Sequence, residues 1–309
     1  MYLGQHLHIA TPLVNSLPLQ MGKPRSIWLK LDALQPSGSF KLRGVGHACQ
    51  AHAARGAKRF VSSSGGNAGL AVAYAGRLLG VAVVVVVPET TTERAKDLLR
   101  LEGAEVIVHG DSWQEANGLA MSMLSSADAF IHPFDDPLLW EGHATLIDEV
   151  AQMSVRPDAV VVSVGGGGLL SGVVQGLQRN GMGDVPVIAV ETEGAASFNA
   201  AITAGHTVEL ERINSVASSL GAKRVSEQAM HCARNHPVHS ILVSDKSALA
   251  ACERFLADHR LLVEPACGAS LALVYDHHPA LAPYQDILIV VCGGATASID
   301  QIRAWAAAA

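Results

Sequence analysis

The sequence predicts an α/β protein of two doubly wound units, each built on a parallel sheet with helices on both faces. Three observations predict it. Short runs of β-branched residues alternate with helical stretches along most of the chain, which is the rhythm of βαβ units. The apolar runs are continuous rather than alternating, as in VAVVVVVP (81–88), and such strands are buried on both faces. The chain has 309 residues, 49% hydrophobic and 16% charged. That is length for about two domains at ~150 residues each, with too much apolar surface for disorder.

The elements follow in order. RFVSSS (59–64) reads as a strand and NAGLAVAYAGRLLG (67–80) as a helix. VAVVVVVP is the next strand, TERAKDLLRLEGA (92–104) a helix closing near a glycine, and EVIVHG (105–110) a strand. SWQEANGLAMSMLSSA (112–127) is a helix with Ser112 as its cap. DAVVVSVG (158–165), VPVIAVE (185–191), SILVSD (240–245) and ILIVVCGG (287–294) are the later strands. LAACERFLADHR (249–260) is an amphipathic helix that needs no functional role. Ligands of such sheets bind where loops leave the carboxyl ends of strands.

Composition narrows the function. Lys plus Arg is 22 and Asp plus Glu is 28, a net charge of −6, and no basic run offers a nucleic-acid surface. Five scattered cysteines form no Cys-x-x-Cys pair and read as free thiols of a reducing compartment. The first 19 residues lack a secretory pattern and the longest apolar run is too short to span a membrane, so a cytoplasmic protein is expected. His6, His8, His231, His236, His277 and His278 show no metal-ligand spacing and are expected at the surface.

Four loops carry possible chemistry. In PSGSFKLRG (36–44), Lys41 opens a helix beside Phe40. A buried, neutral lysine forms a Schiff base with an aldehyde and Phe40 suits stacking on a flat heterocycle, although read alone this is an ordinary surface lysine. SSSGGNAG (62–69) puts hydroxyls and N–H groups at a helix start, which binds a carboxylate or simply caps the helix. SVGGGGLLSG (163–172) has four consecutive glycines after a strand and suits a phosphate. Its spacing matches neither a P-loop nor G-x-G-x-x-G, yet Glu191 ends the next strand, so a nicotinamide cofactor stays open. In VVCGG (290–294), Cys292 is a buried hydrophobe or a partner for a ring nitrogen. Together they supply an amine, a stacking ring, a phosphate cradle and a nitrogen partner, the four handles of pyridoxal 5′-phosphate.

At these residues the chain resembles the fold-type II pyridoxal-phosphate enzymes, which are similar to the tryptophan synthase β subunit. Among them it looks most like the liver-type L-serine dehydratases, the serine/threonine ammonia-lyases. HPFDDPLLWEGHATL (132–146) and LVEPACGASLALVY (262–275) share in the resemblance, which covers nearly the whole chain. It implies a large domain of residues 1–34 and 134–309, a small domain of 35–133, the cofactor in the cleft between them, and a homodimer. Lys41 would hold the cofactor as a Schiff base. Phe40 and Ser219 would flank its ring, Asn67 would bond its ring oxygen, and Cys292 and Gly293 would face its nitrogen. Gly165, Gly166, Gly167, Gly168 and Leu169 would bind its phosphate. Ser64, Gly65, Asn67 and Ala68 would hold the substrate carboxylate. A monovalent cation, expected to be potassium, would lie near Glu191 and the carbonyls of Gly165, Ala195, Leu220 and Ala222.

The departures from the family pattern carry expectations of their own. Ser219 replaces a small apolar residue. Gly65 replaces a frequent alanine, so a looser loop and lower turnover are expected. Ala68 stands where biosynthetic threonine deaminases have histidine, and no regulatory domain is expected after residue 309. The implied reaction is α,β-elimination of water from L-serine, giving pyruvate and ammonia, and of L-threonine to 2-oxobutanoate. Lys41 would take the Cα proton. With no acid in the four loops, the cofactor phosphate is the expected donor to the leaving hydroxyl. A thiol facing the ring nitrogen favours elimination over transamination. The rivals are β-replacement, racemisation with Ser64 as second acid/base, a nicotinamide-dependent oxidoreductase, and a silent amino-acid binder.

Overall fold

A computed structural model of the chain describes residues 5–20 and 25–308. Residues 1–4, within the stretch expected to lack a secretory signal, and Ala309 lie outside the described residues. The chain runs through β1 (Leu13–Asn15), α1 (Leu17–Gln20), β2 (Ser26–Lys30), α2 (Lys41–Ala54), β3 (Arg59–Ser62), α3 (Asn67–Leu79), β4 (Ala82–Val87) and α4 (Glu93–Leu101). It continues through β5 (Glu105–Val108), α5 (Trp113–Ser122), β6 (Asp128–Phe130), α6 (Pro137–Gln152), β7 (Ala159–Ser163), α7 (Gly168–Arg179), β8 (Val187–Thr192) and α8 (Ser197–Ala204). It ends with α9 (Glu227–Asn235), β9 (Val238–Val243), α10 (Asp245–His259), α11 (Pro265–Tyr275), β10 (Asp286–Val290) and α12 (Ile299–Ala308).

The described strands form two sheets, six in the order β1-β2-β10-β7-β8-β9 and four in the order β5-β4-β3-β6. Every pairing is parallel except β1 with β2. The fold is therefore α/β as the alternating pattern predicts, with an antiparallel edge strand that the pattern does not announce. The unbroken apolar strands are buried on both faces: Val83 to Val87 of β4 are at most 6% exposed. Each such side chain contributes about 1.5–3 kcal/mol when fully buried. In a parallel sheet the strands' carboxyl ends share one edge, so the loops 164–167 and 291–294 leave the six-stranded sheet together, and the loop 63–66 leaves the carboxyl edge of the four-stranded one. Because β7 and β10 are neighbours, the glycine loop and Cys292 leave the sheet side by side.

Boundaries shift where polar side chains end or start an element. The strand expected over 59–64 stops at Ser62, whose hydroxyl accepts from the Ser64 N–H at 3.3 Å. Thr92 caps α4 rather than joining it. Ser112 caps α5 in a capping box with Glu115, and that helix closes at Ser122 rather than at residue 127. Ser244 caps α10, which starts at Asp245, so β9 ends at Val243 rather than at Asp245. Two of the histidines expected at the surface are buried, His8 and His236. The Nε2 of His236 lies 2.9 Å from the Val185 carbonyl, and that of His8 lies 3.4 Å from the Thr145 hydroxyl.

A buried ion cluster anchors α2. Arg43, fully buried, donates to Asp32 at 2.6 Å and to Glu149 of α6 at 2.6 Å. Lys30 of β2 pairs with the same Glu149 and donates to the Thr11 carbonyl at 2.6 Å. Two cations face two carboxylates, so the cluster is neutral. Removing one partner from such a buried set typically costs about 3–5 kcal/mol. Arg43 stands two residues from Lys41, so the cluster holds the base of the lysine's own helix.

Candidate active site

The loop before α2 is stitched to the end of β10. The Phe40 N–H donates to the Cys292 carbonyl at 3.0 Å, and the Gly294 N–H donates to the Gly38 carbonyl at 2.9 Å. Ser39 bridges Gly293. This seam brings Lys41, the first residue of α2, close to Cys292, more than two hundred residues away in the chain. Lys41 Nζ donates to the Pro133 carbonyl at 2.6 Å and lies 5.2 Å from the Phe40 ring centroid. Burial lowers its pKa to about 8, against the pull of the nearby Glu264 carboxylate. About a tenth of the amine is therefore neutral at pH 7, far more than for an ordinary lysine, as a nucleophile and base requires.

The glycine loop faces the same region through Phe134. A Cβ at Gly166 would clash with the Phe134 ring at 2.2 Å from its Cγ, and one at Gly168 would lie 2.7 Å from the Phe134 carbonyl oxygen. Gly167 has φ +93°, a left-handed conformation that disfavours any side chain. No side chain caps α7, whereas residues such as Thr92, Ser112, Asp136, Ser226 and Ser244 cap the helices they precede. The start of α7 is thus bare backbone under positive helix-dipole potential, a fit for a phosphate. Leu169 is buried in its first turn.

The loop 62–69 reaches the opposite domain through one side chain. Asn67, at the start of α3, donates to Glu264 Oε1 at 2.6 Å and to the Ser219 hydroxyl at 3.3 Å. Its side-chain Oδ1 accepts from the Ala295 N–H at 3.0 Å. Ser64 Oγ accepts from the Gly66 N–H at 3.4 Å, and α3 has no side-chain cap. Ala68 is buried. At Gly65 an added Cβ would lie 2.7 Å from Thr91 Cγ2, so Thr91 fills the space beside this glycine. No hydrogen bond joins Ser64 to Lys41 among the described residues.

Cys292 is buried. A hydrogen bond with Cys267, and then burial, hold its thiol well above the usual range. It is a neutral group, fit to face an unprotonated ring nitrogen.

Glu264 is the main residue that sequence reasoning missed. It precedes α11, is 5% exposed, and accepts from Asn67 and, at 3.1 Å, from Thr296. Burial raises its pKa, against hydrogen bonds from Ser219, Thr296 and Asn67 and the charge of Lys41. A carboxyl group therefore does stand among these loops. Its only sequence signal is a Glu-Pro pair before an apolar run, and its partners lie far off in the chain. Phe134 was likewise not singled out.

The residues expected around a cation are only partly joined. Gly165 packs on Ser219 and Leu220. Glu191 is fully buried and accepts from the Phe198 N–H at 2.8 Å and the Asn199 N–H at 2.7 Å, at the start of α8. Each oxygen accepts one backbone N–H and the carboxylate is turned into the protein, away from the loop edge where a nicotinamide reading required its acid. No cluster of three His, Cys, Asp or Glu suited to a metal occurs among the described residues, and no described helix is long and apolar enough to cross a membrane.

Known proteins resemble this chain over nearly its whole length. L-serine dehydratase/L-threonine deaminase of Homo sapiens is 48% identical, over 98% of this chain and 96% of its own. The crystal structure of the fungal L-serine ammonia-lyase of Rhizomucor miehei superposes with a TM-score of 0.92 at 38% identity, covering 97% of this chain and 98% of that one. Maize serine racemase, at 23% identity over 96% of this chain and 92% of its own, with a TM-score of 0.87, shares the fold. A family model described as pyridoxal-phosphate dependent enzyme matches residues 5–293. The chain belongs to that family of fold-type II enzymes, whose cofactor is pyridoxal phosphate.

Proposed function

We propose that this enzyme deaminates L-serine to pyruvate and ammonia, and L-threonine to 2-oxobutanoate. The observation that carries the reading is the buried Lys41 amine, with its pKa near 8, a short way from a neutral thiol at Cys292. The bound cofactor supplies an electron sink that makes the substrate Cα proton acidic. Lys41 anchors the cofactor, then takes that proton, being already close to the carbon. Phe40 and Ser219 flank the ring, and Cys292 and Gly293 line its nitrogen side. Asn67 reaches the ring oxygen and exchanges one of its present partners to do so. Gly165, Gly166, Gly167, Gly168 and Leu169 hold the phosphate. Ser64, Gly65, Asn67 and Ala68 hold the substrate carboxylate. A thiol does not keep the ring nitrogen protonated, which supports prompt loss of the β-hydroxyl. The printed names of the human and fungal relatives support the same substrate class.

Residues 35–133 form a small domain that closes over the substrate, and 1–34 with 134–309 form the large one. A monovalent cation, potassium, sits by Glu191 and the carbonyls of Gly165, Ala195, Leu220 and Ala222. A buried carboxylate with only N–H donors supports it. The enzyme is a cytoplasmic homodimer, and its five buried free cysteines support a reducing compartment. The test is product analysis of L-serine in deuterium oxide. Pyruvate and ammonia in equal amounts, with residual serine still of the L form, is the expected result. Accumulation of D-serine without pyruvate would assign a racemase instead.

A further inference from the structure

His143 lies on α6, which packs against both α2 and α7. Among the described histidines it alone is 0% exposed. Its Nδ1 accepts from the Gly44 N–H at 3.2 Å, in the first turn of α2. The Phe40 carbonyl is taken by the Arg43 N–H at 3.0 Å, so Gly44 turns to the histidine. The imidazole packs on the Phe40 ring, 5.0 Å between centroids and tilted by 52°. On its other side, the His143 Cβ occupies the space a side chain at Gly172 of α7 would need. One residue thus touches the turn that carries Lys41, the ring beside Lys41, and the helix that opens from the glycine loop.

Because Nδ1 accepts, the proton sits on Nε2, which is buried without a partner among the described residues. Burial, with Lys41 and Arg43 nearby, keeps the ring neutral. An unpartnered buried N–H opposes folding, and a leucine of similar size would avoid it. Stability therefore does not explain an imidazole here, whereas the acceptor at Nδ1 does. We propose that His143 is a positioning residue that, by accepting from Gly44 and backing Phe40, fixes the direction of the Lys41 side chain relative to the glycine loop. This rests on Lys41 being the lysine that binds the cofactor and moves the proton.

The test compares wild type, His143→Leu and His143→Asn. Leucine fills the volume without an acceptor, and asparagine puts Oδ1 where Nδ1 stands. Four quantities are read: thermal midpoint, the visible band of the bound cofactor, the rate at which that band appears when pyridoxal phosphate is added to apoprotein, and kcat and KM separately. The leucine protein is expected to be at least as heat-stable as wild type. Its band forms more slowly and is shifted, and kcat falls about tenfold or more with little change in KM, since small misplacements of reacting groups cost one to two orders of magnitude. Asparagine restores the band and most of kcat. A leucine protein with the wild-type band, rate and kcat overturns the proposal, and so does an asparagine protein as impaired as leucine. If leucine yields no folded protein, methionine replaces it, and the asparagine comparison stands unchanged. Wild type without a cofactor band would sink the functional reading itself, whereas a wild-type band with an unaffected leucine variant would sink the positioning role alone.

Discussion

Lys41 has one polar and one apolar neighbour close by, the Pro133 carbonyl 2.6 Å from its amine and the Phe40 ring. Burial lowers its pKa to about 8. The consequence is a particular pH dependence for the reaction of apoprotein with pyridoxal phosphate. Between pH 7 and pH 9 the neutral fraction rises about tenfold and then levels off, whereas an ordinary lysine would gain about a hundredfold over the same span. Stopped-flow measurement of band formation distinguishes the two, and a hundredfold rise would contradict the buried-lysine reading. Lys41 stood out in the sequence only in company with the other three loops and the family resemblance, because a lysine at a helix start, read alone, is an ordinary surface group. Glu264 was not. It gains meaning only through Asn67, Ser219 and Thr296, which chain folding, not sequence neighbourhood, delivers to it.

At the scale of elements, strands and loops were more legible than helices. A run such as Val83 to Val87 has no polar alternation to mislead, and glycines mark where β7 gives way to α7. By contrast, every residue of α11 is buried. Such a helix has no polar stripe, so the period by which helices are recognised is missing. The short β1 and β6 carry too few residues for any period. Helix α6 was present only within a family motif, yet it separates the lysine helix from the glycine-loop helix. The glycine loop makes its own prediction. In Gly166→Ala the new methyl collides with Phe134, and overpacking of this kind costs about 1–3 kcal/mol. Titration of the apoprotein should show pyridoxal phosphate bound ~10- to 100-fold more weakly. Unchanged affinity would mean that the phosphate lies elsewhere.

Across the whole molecule, two sheets, parallel but for the edge strand β1, present their carboxyl-end loops to one region, and Asn67 ties the loops of one sheet to those of the other. Glu191 lies deeper, under α8, where burial raises its pKa from 4.5 to about 7. The folded protein therefore holds this proton more tightly than the unfolded chain between those values, and ionisation there lowers stability as pH rises. A bound cation favours the ionised form and reverses this cost. Potassium should then raise the thermal midpoint more at about pH 8 than at about pH 6, and Glu191→Gln should remove the difference. Equal stabilisation at both pH values would argue against a cation at Glu191. The most direct measurement is the absorbance spectrum of purified wild type and Lys41→Ala, loaded with pyridoxal phosphate, before and after L-serine. Wild type should show a visible band that shifts on adding serine while pyruvate accumulates, and the Lys41→Ala protein should lack that band and make no pyruvate. A variant that keeps the wild-type band and still forms pyruvate would contradict Lys41 as the residue on which the chemistry turns.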